Sequence, residues 1–256
     1  MSDLPFYETD KAVSEYLLFH YGASQEILPY PNGPVSALHY PVRCVVECVD
    51  SGLLPYESRA LDIGCAVGRS SFELARLCSS VVGIDYSHRF IEAADAMKSQ
   101  GSLKYLRVDE GDLGTELEAK LPEGIDANKV SFQQGDATAL PDDLGTFDVV
   151  LAANLIDRLE NPSQFLNSLP GLMNPGGQLI ITSPYTWLEE YTPKENWLGG
   201  YDNESQSQRT IDGLVEVLSA HFVKVREMDL PFLIREHARK FQWSVAQGTI
   251  WIRKGQ

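Results

Sequence analysis

The sequence predicts an α/β fold: a mostly parallel seven-stranded sheet, helices on both faces, and an antiparallel hairpin at one edge. Three observations point to it. Short apolar runs near 59–63, 80–85, 129–134, 147–152 and 177–182 alternate with helical stretches, as buried parallel strands joined by crossover helices do. Glycines Gly64 and Gly68 stand where the first strand passes into a helix. Two β-rich runs, 222–234 and 240–253, close the chain with a short connection between them, the mark of a hairpin.

The elements follow in order. Residues 10–21 read as a short helix, with Asp10 as its N-cap and Gly22 as its stop. The turn-rich segment Leu28-Pro-Tyr-Pro-Asn-Gly-Pro34 leads to a second helix of roughly 15 residues capped by Ser36, where Pro41 is tolerated only in the first turn. Gly52 and Pro55 end it. Strand 59–63 is followed by helix 68–78, and strand 80–85 by helix 88–99, capped by Ser87. The acidic stretch 100–128, with its Gly-Asp and Pro-Glu-Gly turns, reads as an inserted hairpin or excursion. Helices are expected near 162–172 and 208–220. The chain thus divides into an N-terminal helical cap (1–57), a ligand-binding core (58–183), a lid-like insertion (184–207) and a C-terminal helix with hairpin (208–256), all in one domain.

The 256 residues are 43% hydrophobic, enough for a sizeable core. Lys and Arg number 21 against 36 Asp and Glu, a net charge of −15. Such a surface repels phosphate backbones, which disfavours a nucleic-acid partner. No apolar run is long enough for a membrane span, and the N-terminus lacks a signal-peptide pattern, so the expected location is the cytoplasm. Cys44, Cys48, Cys65 and Cys78 form no disulfide pattern. Cys44 and Cys48, one helical turn apart, could share a metal, but a buried helix face explains them better, and no metal is expected.

The ligand site is expected beyond the carboxyl ends of the strands. Gly64 and Gly68 let the backbone turn tightly and approach a ligand. Asp85 ends the second strand, where its carboxylate can accept from both ribose hydroxyls. The spacing Gly64-Cys-Ala-Val-Gly68 lacks the third glycine that admits a pyrophosphate, and the charge of Asp62 would repel one. Asp62 suits a cationic or amino-bearing ligand instead. S-adenosylmethionine carries a sulfonium and an amino group and no phosphate. Asp136 ends a third strand, where it can accept from the adenine amino group while the backbone of Ala137 reaches the ring. Capping or solvation at a strand end is the less favoured alternative for Asp85 and Asp136.

These elements, taken in order over residues 58–183, resemble the class I S-adenosylmethionine-dependent methyltransferases. The resemblance implies a Rossmann-like methyltransferase fold. It assigns Asp62, Gly64, Cys65 and Gly68 to the methionine end of the cofactor, Asp85 to the ribose, Asp136 and Ala137 to the adenine, with Tyr86 a further cofactor-binding residue and S-adenosylhomocysteine the coproduct. Cys65 and Ala66 stand where the family often has a second glycine pair. Outside the core, Tyr7-Glu-Thr-Asp-Lys-Ala-Val-Ser-Glu-Tyr-Leu-Leu-Phe-His-Tyr-Gly22, Leu28–Pro34 and the segment from Ser183 to Gly200 resemble the mercaptohistidine N-methyltransferases of ovothiol biosynthesis. That resemblance implies methylation of an imidazole nitrogen of 5-thiohistidine to give ovothiol A, with a functional link to the sulfoxide synthase of the same pathway.

Substrate-side candidates follow from position. Asn154 ends the fourth strand beside the expected methyl group and could hold cofactor or acceptor. Asp157 could accept a ring proton or hold the substrate ammonium, or simply begin a helix. Arg158 and Arg43 could fork onto a carboxylate. Tyr185 and Trp187 could stack on an imidazole or pack a lid. Tyr30 and Asn32 lie on a loop near the site, and His20 and His39 are candidate proton relays. Rival readings are the same chemistry on another small acceptor, a non-catalytic module that binds the cofactor, and, least favoured, a nicotinamide-dependent dehydrogenase.

Overall fold

The computed structural model describes residues 6–202 and 207–255. The first residues of the expected cap, four residues of the expected lid-like insertion and the last residue therefore lie outside it.

The central sheet has seven strands in the order β5-β2-β1-β6-β7-β11-β10. They are β1 (Arg59–Ile63), β2 (Ser80–Asp85), β5 (Val130–Gln134), β6 (Phe147–Ala153), β7 (Met173–Ser183), β10 (Phe222–His237) and β11 (Lys240–Arg253). The first five run parallel, β11 pairs antiparallel with β7, and β10 pairs antiparallel with β11 at the edge. Strand order reverses between β1 and β6, and the ligand crevice of such a sheet opens at this switch point. Buried aliphatic residues of β1 and β6, among them Leu61, Ile63, Val149, Val150 and Leu151, fill both faces. That explains why these strands read as unbroken apolar runs.

The expected elements of the core are present as α4 (Arg69–Leu74), α5 (His88–Gln100), α6 (Pro162–Leu172) and α7 (Thr210–Leu218). Ser87 caps α5 by accepting from Phe90 N. α4 is shorter than expected and passes into turns after Leu74. The stretch expected as an excursion is a hairpin of its own, β3 (Ser102–Glu110) with β4 (Leu113–Lys120), outside the main sheet. A small ladder, β8 (Tyr201–Asp202) with β9 (Ser207–Gln208), lies in the expected lid-like insertion.

The N-terminal region departs most from expectation. Helix α1 (Asp10–Tyr21) is capped by Thr9, whose hydroxyl accepts from Ala12 N at 3.1 Å. Asp10 instead pairs with Arg89 of α5. A short α2 (Ser24–Ile27) follows. The expected 15-residue helix capped by Ser36 is replaced by a 3-10 turn, Val35–Ala37, and a seven-residue α3 (Tyr40–Val46). Pro41 is the reason: a helix starting at Ser36 would put it beyond the first turn, where its ring clashes and an N–H is missing. Starting at Tyr40 puts it safely in the first turn. Cys44 and Cys48 are buried, and burial pushes both thiols up.

Three contacts anchor this region over the sheet. Ser70 Oγ donates to Pro41 O at 3.0 Å. Arg43 Nη1 donates to Pro231 O at 2.8 Å. Arg235, buried and paired with Asp109 of β3, also donates to Glu26 O, so α2, the β3–β4 hairpin and β10 meet at one guanidinium.

Gly68 precedes α4 with φ +84°, and a Cβ there would lie 2.6 Å from the Phe132 ring. Gly68→Ala is expected to lower the unfolding free energy by about 1–3 kcal/mol in urea denaturation, from backbone strain and overpacking together. A variant as stable as the parent would contradict this packing.

Candidate active site

A cavity of about 590 Å³ opens at the switch point. Its floor is the carboxyl ends of β1, β2, β5 and β6; its roof is the N-terminal region. Of the residues expected to hold the cofactor, Asp62, Gly64, Cys65, Asp85, Tyr86, Asp136, Ala137 and Asn154 all line it. Gly68 lies just behind and sets the turn into α4.

Asp62 is 1% exposed, and its carboxylate accepts from Ser71 Oγ at 2.6 Å. Burial, with a smaller push from Asp85, raises its pKa to about 7 against the opposing pull of the Ser71 hydroxyl. A cation brought beside it would favour the ionised form. Asp85 accepts from Ala66 N at 2.8 Å through one oxygen and from Ser87 N at 2.9 Å through the other. A carboxylate offers about four acceptor positions, so Asp85 stays rigid and keeps capacity for a pair of hydroxyls. Burial lifts its pKa to about 6. Asp136 uses Oδ1 to accept from Thr138 N and Oγ1, each at 2.8 Å.

The Gly64 turn has φ +75°, and Gly64 N and Cys65 N both donate to Ile84 O. A Cβ at Gly64 would come within 3.2 Å of Leu155. The loop is thus pinned to the end of β2, and at Gly64 no side chain covers its backbone.

Asn154 is held by two hydrogen bonds in a left-handed backbone conformation. Its φ is +52°, its N–H donates to Thr182 O at 2.8 Å, and its Oδ1 accepts from Tyr40 Oη at 2.7 Å. Tyr40 Oη also lies 2.6 Å from Thr182 Oγ1. The β6 terminus and the roof are joined through this buried hydroxyl network.

The expected substrate residues divide. Arg158 lines the cavity, with its guanidinium over the Tyr191 ring and Nη1 donating to Thr186 O. Asp157 does not line it: the carboxylate is buried beneath, accepting from Ser183 Oγ, Thr186 N and Arg158 Nη1. Tyr185 and Trp187 line a separate surface depression, bonded to Gln247 and Thr210. Tyr30 Oη donates to Ala238 O on the hairpin tip, and Asn32 is exposed beside it. His39 is hydrogen-bonded to Ser24 Oγ, and Arg43 to Glu47, Ser36 O and Pro231 O. None of these four lines the cavity.

The expected His20 does line it, in a wall with Tyr7, Tyr16, Phe19, Tyr40 and Phe90, and the cavity also includes the exposed Glu160 and Glu190 along with Arg158. Tyr16 packs against Phe90 with centroids 4.6 Å apart, and Phe19 stacks on Tyr40. The spacing Tyr16, Phe19, His20 is one helix face (i, i+3, i+4), a signal present in the sequence. Tyr7 and Phe90 carry no such signal; they meet because Ser87 Oγ donates to Tyr7 O and His88 N to Glu8 Oε1.

Residues 61–181 match the family described as a methyltransferase domain. The match spans just under half of the chain. Among curated proteins it is similar to ubiquinone biosynthesis O-methyltransferases. The one from Xanthomonas axonopodis pv. citri (strain 306) is 25% identical over 153 residues, 60% of this chain and 53% of that protein. The one from Caulobacter sp. (strain K31) is 29% identical over 134 residues, 52% of this chain and 44% of that one. The chain therefore spans about half the length of the curated relatives it matches.

Solved structures share the fold. The [4+2]-cyclase SpnF superposes with a TM-score of 0.60 at 16% identity, covering 97% of this chain and 95% of that one. The magnesium protoporphyrin IX methyltransferase of Synechocystis PCC 6803 with bound S-adenosylmethionine gives 0.51 at 16% identity, covering 99% and 100%. The chain's own residues fit S-adenosylmethionine as a cofactor: acids at or just beyond the ends of β1, β2 and β5, and a glycine turn without the third glycine of a pyrophosphate cradle.

A cationic ligand beside Asp62 favours its ionised form, so below pH 7 binding must expel a proton. Affinity for S-adenosylmethionine is expected to fall about tenfold from pH 8 to pH 6, as read by calorimetry. Asp62→Asn should bind more weakly at pH 8 and lose this dependence; a steep profile in the variant would remove Asp62 from the cation's side. Asp85→Ala is expected to weaken binding by about 10- to 100-fold, the worth of hydrogen bonds to a charged group. Unchanged affinity would remove Asp85 from the ribose role.

Proposed function

We propose that this protein transfers a methyl group from S-adenosylmethionine to an imidazole ring nitrogen of 5-thiohistidine, giving ovothiol A and S-adenosylhomocysteine. The observation that carries the reading is the composition of the cavity beyond the cofactor residues. It combines an aromatic wall for a flat ring with Arg158 for a carboxylate and Glu160 and Glu190 for an ammonium. That is the complement of a free amino acid bearing a heteroaromatic side chain. The N-terminal and Ser183–Gly200 segments that resemble mercaptohistidine N-methyltransferases supply part of this rim: Tyr7, Tyr16, His20, Glu190 and Tyr191.

The chemistry asks little of the protein. Sulfonium is a good leaving group and a neutral ring nitrogen carries the lone pair, so alignment and exclusion of water do most of the work. The nitrogen attacks the methyl carbon in line, the carbon–sulfur bond breaks with its electron pair on sulfur, and the ring loses a proton. Asn154, held by Tyr40 and Thr182 at the end of β6, fixes the acceptor beside the methyl group. Arg158 holds the carboxylate. Asp157 acts behind it, orienting Arg158 and the β7 exit.

A quinol acceptor, as the names of the curated relatives suggest, fits less well. An isoprenoid quinol brings no carboxylate or ammonium for Arg158 and the two glutamates.

The test is mass spectrometry of reactions holding purified protein, S-adenosylmethionine and either 5-thiohistidine or histidine. Addition of one methyl group to thiohistidine, with little or none on histidine, is the expected result. No methylation of thiohistidine by protein that binds the cofactor would overturn the acceptor assignment. Asn154→Ala is expected to cut turnover more than cofactor affinity.

A further inference from the structure

His20 stands in the aromatic wall of the cavity, 8% exposed, between Tyr16 and Phe19 at centroid distances of 5.8 and 5.4 Å. Its Nδ1 is closed off from solvent and has no hydrogen-bond partner among the described residues. A phenylalanine would fill the same wall without an orphaned nitrogen, and such a nitrogen costs free energy unless a ligand makes use of the ring. The orphan also sets the tautomer. A proton on Nδ1 would be a buried donor with nothing to accept it, so the proton belongs on Nε2. That nitrogen is neither closed off nor bonded within the described residues. His20 therefore turns an N–H toward the cavity. Burial, and Arg69 nearby, hold the ring neutral, with its pKa down at about 3, so it offers a hydrogen bond and no charge.

We propose that His20 is the residue that recognises the sulfur of the acceptor, donating from Nε2 to the exocyclic thiolate or thione. The proposal rests on the thiohistidine reading and deepens it. His20 belongs to the roof, with Tyr16, Phe19 and Tyr40, whereas the cofactor's acids and turn lie on the strand ends below. A sulfur held by His20 locks the acceptor ring in its plane between the aromatic faces and settles which ring nitrogen meets the methyl group. Histidine has no acceptor atom at that ring carbon and leaves the His20 donor unsatisfied, which is how a polar site rejects the analogue lacking its group.

The experiment compares kcat/KM for 5-thiohistidine and for histidine in the parent, His20→Phe and His20→Gln, with S-adenosylmethionine affinity measured in parallel. His20→Phe keeps the packing and removes the donor; its preference for thiohistidine over histidine should fall about 10- to 100-fold, the worth of a hydrogen bond to a charged group. Its cofactor affinity should not change, and NMR of the product should show both ring-nitrogen isomers. His20→Gln restores a donor near Nε2 and should recover most of the preference. An undiminished preference in His20→Phe would overturn the proposal. So would a loss of cofactor affinity in that variant, which would put His20 on the methionine carboxylate. A parent protein that does not methylate thiohistidine at all would instead remove the acceptor reading on which the proposal stands.

Discussion

Asp62 ends β1 at the point where the strand order reverses, closed off from water, with the Ser71 hydroxyl 2.6 Å away as its donor. A carboxylate in that place is costly unless a cation or a proton joins it. The neighbouring geometry follows from this constraint. α4 must begin within reach so that Ser71 can donate. The turn from Gly64 to Gly68 must therefore be tight, with positive φ at both glycines and at Ala66. Asp85 then stabilises the turn by accepting from Ala66 N. The floor is thus a tensioned set of acids and backbone, completed by a ligand that brings positive charge without phosphate.

The roof works by a different principle. It is anchored by scattered polar contacts: Tyr40 to Asn154 and Thr182, Ser70 to Pro41, Arg43 to Pro231, Ser87 to Tyr7. The fold is shared with distant structures, one of them a [4+2]-cyclase, so the fold by itself does not choose an acceptor. We propose that acceptor choice lies in the roof and rim, where Tyr16, His20, Arg158 and Glu190 line one cavity.

The floor was legible in the sequence because its rules are local. A buried parallel strand shows as an apolar run, a tight turn as glycines, and a strand-end acid as the residue after the run. Asp62, Gly64, Asp85 and Asp136 are read that way and all four line the cavity, and β1 and β2 begin and end where the sequence places them. The roof was less legible because its geometry depends on long-range contacts. Pro41 carried the one local clue, and weighing it fully would have started α3 at Tyr40. Tyr30, Asn32, His39 and Arg43 were drawn to the site by their position on a nearby loop and helix. In the structure their hydrogen bonds go to the hairpin tip, α2 and β10. Tyr185 and Trp187 follow β7 directly, yet the positive φ of Tyr185 turns the chain away to a separate depression. Asp157 is adjacent to a cavity residue but faces inward, which no spacing rule reveals.

The most direct measurement is the titration of the Asp62 carboxyl itself, by carbon-13 NMR of the labelled side chain, with and without S-adenosylmethionine. The expected midpoint in the free protein is about 7, and bound cofactor should lower it by about two units or more, as an adjacent cation does to a carboxylate. An ordinary midpoint in the free protein, or one that the cofactor leaves unmoved, would contradict the claim that a buried acid at the end of β1 organises this site.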